Sequence, residues 1–374
     1  MYRLKDAGGR DLCLRYELTF KLAKIIALNR GLSLPIKRYE VGKVFRDGPV
    51  KAGRSREFTQ CDVDEIGTDS LIADAEFSAL TKRVFSELNL PIIIRLNNKK
   101  LLFGLLEKAG ILEREFVSAA LSIDKLEKIG RTGVISEMVS KGFTRSSCGR
   151  LFGLIETANA EKDNTKKLAL IEAKIGENEG TKELRDFLRF AKIFGTYEMI
   201  EFSPTLSRGL AYYTGNIWEI YGRGGTVTSS LAAGGRWDGM INKMSGDKGS
   251  YPAVGMTFGL DAIYDALNAR SFRKFIKRKD SCPVLMVVPI DTEEDCVSFV
   301  SMARDYGIRC DIALGMSVRR AFELADKRAI PFMGVIGSRE AAIKTVTVKD
   351  ISSGASETLS WKDAIYKIRR VRWR

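Results

Sequence analysis

Within the segment Glu57–Ile66, acidic and amide side chains recur at alternate positions, at Gln60, Asp62 and Asp64. Because the side chains of an extended strand alternate between its two faces, Gln60, Asp62 and Asp64 are predicted to share one face. The solvated face of an ordinary antiparallel sheet has this pattern, and so does a site for a positively charged ligand. The pattern alone leaves both interpretations open.

Three arginines lie close to this polar face in the sequence. A connection rich in glycine and arginine joins the alternating segment Tyr39–Arg46 to Glu57–Ile66, which is typical of two antiparallel strands and their loop. Arg46, Arg54 and Arg56 supply planar guanidinium groups that suit phosphate. A site with charges of both signs fits a zwitterion together with a polyphosphate.

The chain contains no histidine, which restricts the chemistry available to it. Nucleophiles activated by histidine, metal ions bound by histidine and imidazole general bases are all excluded. Carboxylates, arginines, backbone groups and bound ions remain. A reaction in which the carboxylate of the substrate is itself the nucleophile meets this restriction.

Composition narrows the class of protein further. The 374 residues are enough for two or three domains, and 61 Lys and Arg against 47 Asp and Glu give a formal charge of +14. That charge favours a polyanionic partner, although a generally basic proteome would also explain it. The six cysteines form no CxxC pair, which argues against a zinc knuckle or a disulfide framework. Without an apolar run of spanning length or a leader pattern, we expect a cytoplasmic protein that has no membrane partner.

Two further segments combine glycine with aromatic residues. Ser207–Gly215 reads SRGLAYYTG and Ala233–Gly239 reads AGGRWDG. Glycines at such positions allow a backbone to lie close to a ligand, with aromatic walls beside it. A packed strand at a bend would explain the same residues.

Taken in order, FRDG, GRSREFTQCDVDEIG, RGLAYYTG and AGGRWDG resemble the motifs of histidyl-tRNA synthetases, which are class II aminoacyl-tRNA synthetases. The first two are similar to motif 2, and Pro252–Ala262 resembles motif 3. The resemblance implies an α+β catalytic domain with an antiparallel class II synthetase sheet, a helical insertion and a C-terminal α/β anticodon-binding domain.

The resemblance also implies roles for individual residues. Arg46 and Arg208 would be catalytic by stabilising charge on the α-phosphate of ATP. Histidine would be bound by Glu17, Thr19, Gln60, Asp64, Arg208, Tyr212, Tyr213 and Trp237. ATP would be bound by Arg46, Arg54, Phe58 and Gly235. The first turn of a helix also favours a Glu such as Glu17 as a cap, so that interpretation stays open.

The implied reaction is the activation of histidine by Mg²⁺-bound ATP, followed by transfer to tRNA-His; no metal-binding residues of the protein are predicted. Two alternatives belong to other classes of protein. One is a non-catalytic histidine sensor or regulatory subunit on the same fold, and the other is an RNA-binding module that uses only the basic surface.

Three features depart from the family pattern. Ala262 stands where motif 3 usually has an arginine that binds the γ-phosphate, and Ala211 replaces the usual aspartate of the RGLDYY motif. Nothing in Met1–Leu14 resembles motif 1, which builds the family's homodimer interface. We therefore expect either a chain shortened at its N-terminus or a diverged relative, and the family's homodimer is an open question.

We predict five parts along the chain. Catalytic segments at 1–100 and 196–270 flank a helical insertion at 101–195, and a charged linker at 271–280 leads to an anticodon-binding domain at 281–374. Alternation of strands and helices after Pro283 predicts a parallel βαβ arrangement, with Ser317 as a helix cap. Candidate tRNA contacts there are Arg319, Arg320, Lys327 and Arg328.

Overall fold

The computed structural model describes residues 1–29, 31–51, 53–208, 212–224, 227–246, 251–269 and 283–370. The chain divides into two compact units, Met1–Phe272 and Arg273–Arg374. The predicted linker and Ala211 lie outside the described residues. The finer division into five parts stays a prediction.

A seven-stranded sheet organises the first unit, and its strands follow the order β3-β4-β9-β8-β7-β5-β6. All neighbouring pairs are antiparallel except β5 and β6, so the predicted antiparallel sheet is confirmed. The strands are β3 (Ile36–Phe45), β4 (Glu57–Ile66), β5 (Ile92–Asn98), β6 (Ile200–Phe202), β7 (Asn216–Gly222), β8 (Ala232–Arg236) and β9 (Ala253–Gly259). A separate small hairpin precedes them, formed by β1 (Arg3–Lys5) and β2 (Asp11–Cys13).

Ten α-helices accompany this sheet in the described part of the first unit. They are α1 (Thr19–Leu28), α2 (Leu71–Glu87), α3 (Lys99–Lys108), α4 (Phe116–Ile123), α5 (Leu126–Ser140), α6 (Arg145–Asn159), α7 (Asn164–Ile175), α8 (Glu179–Ile193), α9 (Met240–Ser245) and α10 (Leu260–Ala269). The run α3–α8 is the helical segment that the sequence predicts. Its buried side chains join those of the sheet in one hydrophobic core, so the helices and strands stabilise each other.

The two faces of the sheet differ in polarity because side chains alternate along every strand. One face packs on the helices of the main core through residues such as Trp218 and Met256. On the other face, α1 and α9 cover one end through a smaller cluster that includes Leu22, Trp237 and Ile241. Polar side chains of β4 lie on that second face, which leaves room for a site.

The second unit carries a five-stranded sheet of order β11-β10-β12-β13-β14. Its elements are β10 (Leu285–Pro289), α11 (Glu293–Asp305), β11 (Cys310–Ile312), α12 (Val318–Lys327), β12 (Phe332–Ile336), α13 (Ser338–Ala342), β13 (Thr345–Asp350), β14 (Ser356–Ser360) and α14 (Trp361–Arg370). The predicted parallel arrangement holds for β10, β11 and β12, and Ser317 caps α12 by accepting the N–H of Arg320. The prediction of a parallel arrangement is wrong for β13 and β14, which add an antiparallel hairpin to the sheet.

Every helix in the described ranges is too short or too polar to traverse a lipid bilayer.

Candidate active site

A cavity of about 210 Å³ lies on the polar face of the sheet, over β4, β8 and β9. The register of β4 explains why its polar side chains line the cavity. The three side chains point the same way, and their register partners on β9 are Gly259 for Gln60, Thr257 for Asp62 and Gly255 for Asp64. The cavity brings together eight predicted site residues, which are Glu17, Thr19, Arg46, Gln60, Asp64, Tyr212, Tyr213 and Trp237.

Four predicted residues do not line this cavity. Arg54 is exposed in the loop between β3 and β4. Phe58 packs beneath Arg46, whose guanidinium carbon lies 5.1 Å from the centre of its ring. Gly235 is covered by Tyr213, and Arg208 is paired with acidic side chains at another part of the same face. The roles of these four residues remain predictions.

Glu17 caps helix α1 and also faces the cavity. Its Oε2 accepts the N–H of Thr19 at 2.6 Å, and its Oε1 accepts the N–H of Phe20 at 2.8 Å. Helix α1 begins at Thr19, two residues after Glu17. Two backbone amides fix the carboxylate in place, so the capping interpretation and a role in the cavity are compatible.

Arg46 lies close to two aromatic rings at the edge of the cavity. Its guanidinium carbon is 4.7 Å from the centre of the Tyr16 ring and 5.1 Å from that of Phe58. The Nε of Arg46 also donates to the Tyr16 carbonyl at 3.2 Å. Stacking and one hydrogen bond orient a planar cation that still has donors for an anionic ligand.

Buried acceptors line the floor of the cavity. Gln60, Asp62 and Asp64 are each 3% exposed. Within the described residues, Gln60 Oε1 and Asp62 Oδ1 receive no hydrogen bond. Asp64 Oδ2 lies 3.0 Å from an Nη of Arg38, an ion pair that is not directed as a hydrogen bond. Buried acceptors without a hydrogen bond favour a ligand that supplies N–H donors.

Burial also changes the protonation of these carboxyls. Loss of water raises the pKa of Asp62 to about 6, and it raises the pKa of Asp64 to about 7 against the opposing effect of Arg38. Both carboxyls therefore titrate close to neutral pH. A cationic ligand would favour their ionised forms.

Two glycines give space to side chains of the site. A Cβ on Gly255 would lie 2.1 Å from Asp64 Oδ1, so only glycine leaves room for this carboxylate. A Cβ on Gly235 would lie 2.9 Å from the ring of Tyr213. Protein atoms lie close to both Gly234 and Gly235, and the proposed contact of Gly235 with ATP stays a prediction.

Sequence reasoning missed several residues of the cavity. Asp62 was placed on the polar face but was not assigned a ligand, although its burial and free acceptor match those of Asp64. Arg38 pairs directly across the hairpin with Asp64, which counting residues back from the loop could have shown. Thr257 and Met240 come from distant segments and carry no local signal.

The end of motif 3 and the helix α10 that continues it support the hairpin and its loop. The Asp261 carboxylate accepts the N–H of Thr59 at 2.7 Å, and the Asp265 carboxylate accepts the N–H of Gly53 at 2.9 Å. Ala262 lies between these acids and is 6% exposed, and a Cβ on Gly53 would lie 3.7 Å from it. The loop therefore packs over the position where the family pattern has arginine.

Comparison with known proteins agrees with this geometry. The model of the family described as "Histidyl-tRNA synthetase" matches residues 1–263. This chain belongs to the histidyl-tRNA synthetase family. The model described as "Anticodon binding domain" matches residues 284–371, as expected for the second unit.

Relatives share this assignment over most of their length. Histidine–tRNA ligase 1 of Bacillus cereus is 37% identical over 362 residues, which cover 95% of this chain and 82% of that protein. Histidine–tRNA ligase 2 of Shouchella clausii is 36% identical over 369 residues, 96% of this chain and 83% of that protein. The resemblance stated from the motifs is confirmed.

Solved structures confirm the fold class. Histidyl-tRNA synthetase from Nostoc matches with a TM-score of 0.75 and 26% identity, and the match covers 99% of this chain and 86% of that one. A protein from Bacillus halodurans described as an ATP phosphoribosyltransferase regulatory subunit/histidyl-tRNA synthetase has a TM-score of 0.69, with 90% and 82% coverage. Its 19% identity supports the fold alone, so it does not favour the regulatory alternative.

Proposed function

We propose that this chain is a histidine–tRNA ligase that activates histidine with ATP and transfers it to tRNA-His. The observation that carries the proposal is the set of buried acceptors at the cavity floor, contributed by Gln60, Asp62 and Asp64. Free histidine offers an ammonium group and an imidazole N–H, which are the donors that such a floor lacks.

We assign the imidazole to Asp64 and the ammonium group to Gln60, Glu17 and Thr19. Asp62 lies between Gln60 and Asp64 on the strand face, so it adds a second negative charge beside the ligand. The buried ring of Trp237 and the half-buried ring of Tyr213 lie at the cavity wall and would pack on the imidazole. An analogue without the N–H donor would leave Asp64 Oδ2 without a hydrogen bond, since its ion pair with Arg38 is not directed as one, and this makes the contact selective.

The reaction needs no general base from the protein. The carboxylate of bound histidine attacks the α-phosphorus of ATP, a bond to the histidine oxygen forms, and pyrophosphate leaves. Arg46 and Arg208 would stabilise the charge that develops on the α-phosphate. A ribose hydroxyl at the 3′ end of tRNA-His then attacks the carbonyl of the adenylate, its proton passes to a phosphate oxygen of the departing AMP, and the ester bond forms as the bond to AMP breaks. This sequence is compatible with a chain that has no histidine.

We propose Mg²⁺-bound ATP as the form of the nucleotide. In the ranges that the structure describes, no group of three or more Asp, Glu, Cys or His side chains could hold a metal ion. The ion would therefore be held chiefly by the phosphates and water. Arg54, Phe58 and Gly235 remain the other proposed ATP contacts.

We assign recognition of tRNA to helix α12 of the second unit. Arg319, Arg320, Lys327 and Arg328 are exposed there. Arg319 is paired with Glu323 at 3.2 Å, and Arg328 lies 3.9 Å from Asp311. Exposed pairs of this kind contribute little stability, so phosphates of RNA can replace them.

A homodimer in the cytoplasm completes the proposal. Leu28, Tyr39 and Val41 are 72%, 77% and 54% exposed on α1 and the edge strand β3. An unpaired strand edge with exposed apolar side chains suits association with a second copy. Sedimentation velocity at two protein concentrations tests the dimer.

Histidine-dependent exchange of pyrophosphate into ATP tests the function, with charging of tRNA-His measured alongside. Exchange together with charging is expected. Histidine binding without exchange would instead support the sensor alternative, and binding of RNA without histidine would support the RNA-binding module.

A further inference from the structure

Arg208 is anchored by two carboxylates outside the cavity. Its Nε lies 3.1 Å from Oε1 of Glu219 and 3.8 Å from Oδ1 of Asp124. Glu219 is only 2% exposed, whereas the side chain of Arg208 is 57% exposed. A buried carboxylate therefore holds one edge of a guanidinium whose remainder is accessible to solvent.

Glu219 lies on the cavity face of the sheet. Strand register places Glu219 beside Ala233 of β8, and Ala233 beside Thr257 of β9. Ala233 and Thr257 both line the cavity. Because neighbouring strands are about 4.8 Å apart, Glu219 lies roughly 10 Å from Thr257 along this row. Arg208 is thus anchored beside the cavity and on its face.

The other groups near Glu219 do not replace Arg208. The hydroxyl of Tyr221 donates to Glu219 but carries no charge. Arg95 is the cross-strand neighbour of Glu219, but it is paired with Glu127 and stacks on the Tyr221 ring at 4.8 Å. Arg208 is therefore the main counter-charge of this buried acid.

The contact through Nε leaves the two terminal amino groups of Arg208 available. In the described ranges, no acceptor forms a hydrogen bond with either of them. A guanidinium that is held at one edge presents its other edge to an anion with little loss of side-chain freedom on binding. This arrangement suits a phosphate or carboxylate that arrives from the cavity.

Building on the proposed function, we propose that Glu219 and Asp124 are positioning residues that hold Arg208 for the adenylation step. Asp124 follows α4 and precedes α5, so it belongs to the helical segment. One ion pair therefore connects that segment to the arginine that stabilises the α-phosphate. The rate of adenylate formation would depend on a residue that touches neither substrate.

Single-turnover formation of histidyl-adenylate tests this role with Glu219→Gln and Asp124→Asn. We expect the rate to fall about tenfold for Glu219→Gln and about threefold for the more exposed Asp124→Asn, because an ion pair with a buried carboxylate is stronger than one with an exposed carboxylate. The dissociation constant of histidine should change less than the rate, since neither acid lines the cavity and Arg208 is one of eight proposed histidine contacts. Asp186→Asn is the control, because Asp186 pairs with Arg189 on the same helical segment at an exposed site.

A double-mutant cycle with Arg208→Lys separates positioning from general support of the sheet. If both acids act through Arg208, their substitutions should have little further effect in the Arg208→Lys background. If the effects of the acid substitutions and of Arg208→Lys on the rate simply multiply, the proposal is wrong. If Glu219→Gln does not fold, an unchanged rate in Asp124→Asn would overturn the proposal instead. Absence of exchange in the unaltered chain would overturn the proposed function as well, whereas normal exchange with unaffected variants would overturn only the positioning role.

Discussion

Gly255→Ala tests the placement of the carboxylate that we assign to imidazole. The new Cβ would lie 2.1 Å from Asp64 Oδ1 and 2.9 Å from its Cγ. Carbon and oxygen at ordinary contact are about 3.5 Å apart, so the carboxylate must retreat by more than about 1 Å. A hydrogen bond from imidazole to Asp64 cannot survive that displacement with good geometry.

The size of the effect follows from that single bond. A hydrogen bond to a charged group contributes about 1.5–3 kcal/mol, and about 1.4 kcal/mol corresponds to a factor of ten. The affinity for histidine should therefore fall roughly 10- to 150-fold. The rate of adenylate formation at saturating histidine should change much less, because the added Cβ lies against Asp64 and Val63 rather than against an arginine of the proposed mechanism.

Calorimetric titration with histidine measures this change, and thermal unfolding monitors the fold. Gly222→Ala is the matched control, because its added Cβ would come no closer than 3.7 Å to Leu231 and it also lies in a strand of the same sheet. If folded Gly255→Ala binds histidine within about twofold of the unaltered chain, Asp64 is not the imidazole ligand and the assignment is wrong.

Three further predictions concern protonation, motif 3 and the basic helix. The raised pKa values of Asp62 and Asp64, about 6 and about 7, mean that the free protein loses stability as pH rises from about 4 through 7, because the ionised forms are the ones that burial disfavours. Histidine should therefore raise the melting temperature more at pH 7.5 than at pH 5.5, and Asp64→Asn should reduce that difference. Ala262→Arg should destabilise the first unit by about 2 kcal/mol or more, because the position is buried next to Gly53. It should not increase pyrophosphate exchange. Faster exchange would show that the loop makes room for an arginine that binds phosphate. Arg320→Ala combined with Lys327→Ala should lower charging of tRNA-His and make the charging less sensitive to salt than it is in the unaltered chain. Pyrophosphate exchange should stay the same. Equal loss of both activities would argue against a role confined to tRNA.

The sequence predicts the hairpin of the site well, because its signal is local. Alternation along Glu57–Ile66 fixes which side chains share a face, and the structure keeps Gln60, Asp62 and Asp64 together. The family resemblance adds partners from distant segments, such as Glu17 and Tyr213, that no period in the sequence connects. Their meeting depends on the order of strands in the sheet.

Contacts between distant segments explain the errors. Tyr213 lies over Gly235, which no local pattern in the sequence could predict. The hairpin of β13 and β14 was missed, since its exposed polar strand Ser356–Ser360 has little apolar periodicity. Glu219 also escaped notice, because a single acid within an apolar strand carries no signal until its partner Arg208 is placed.

A row of cross-strand neighbours in the large sheet, from Asp62 to Glu219, connects the proposed histidine site to the arginine proposed for the α-phosphate. Asp62, Thr257, Ala233 and Glu219 are successive cross-strand neighbours on β4, β9, β8 and β7. Three strand spacings separate the first from the last, which is roughly 14 Å. One end lies at the proposed histidine site and the other anchors the arginine proposed for the α-phosphate. A shift of register by one residue in β8 or β9 would turn side chains to the opposite face and would disturb both ends, so the hydrogen-bond ladder of the sheet sets the separation that the reaction requires.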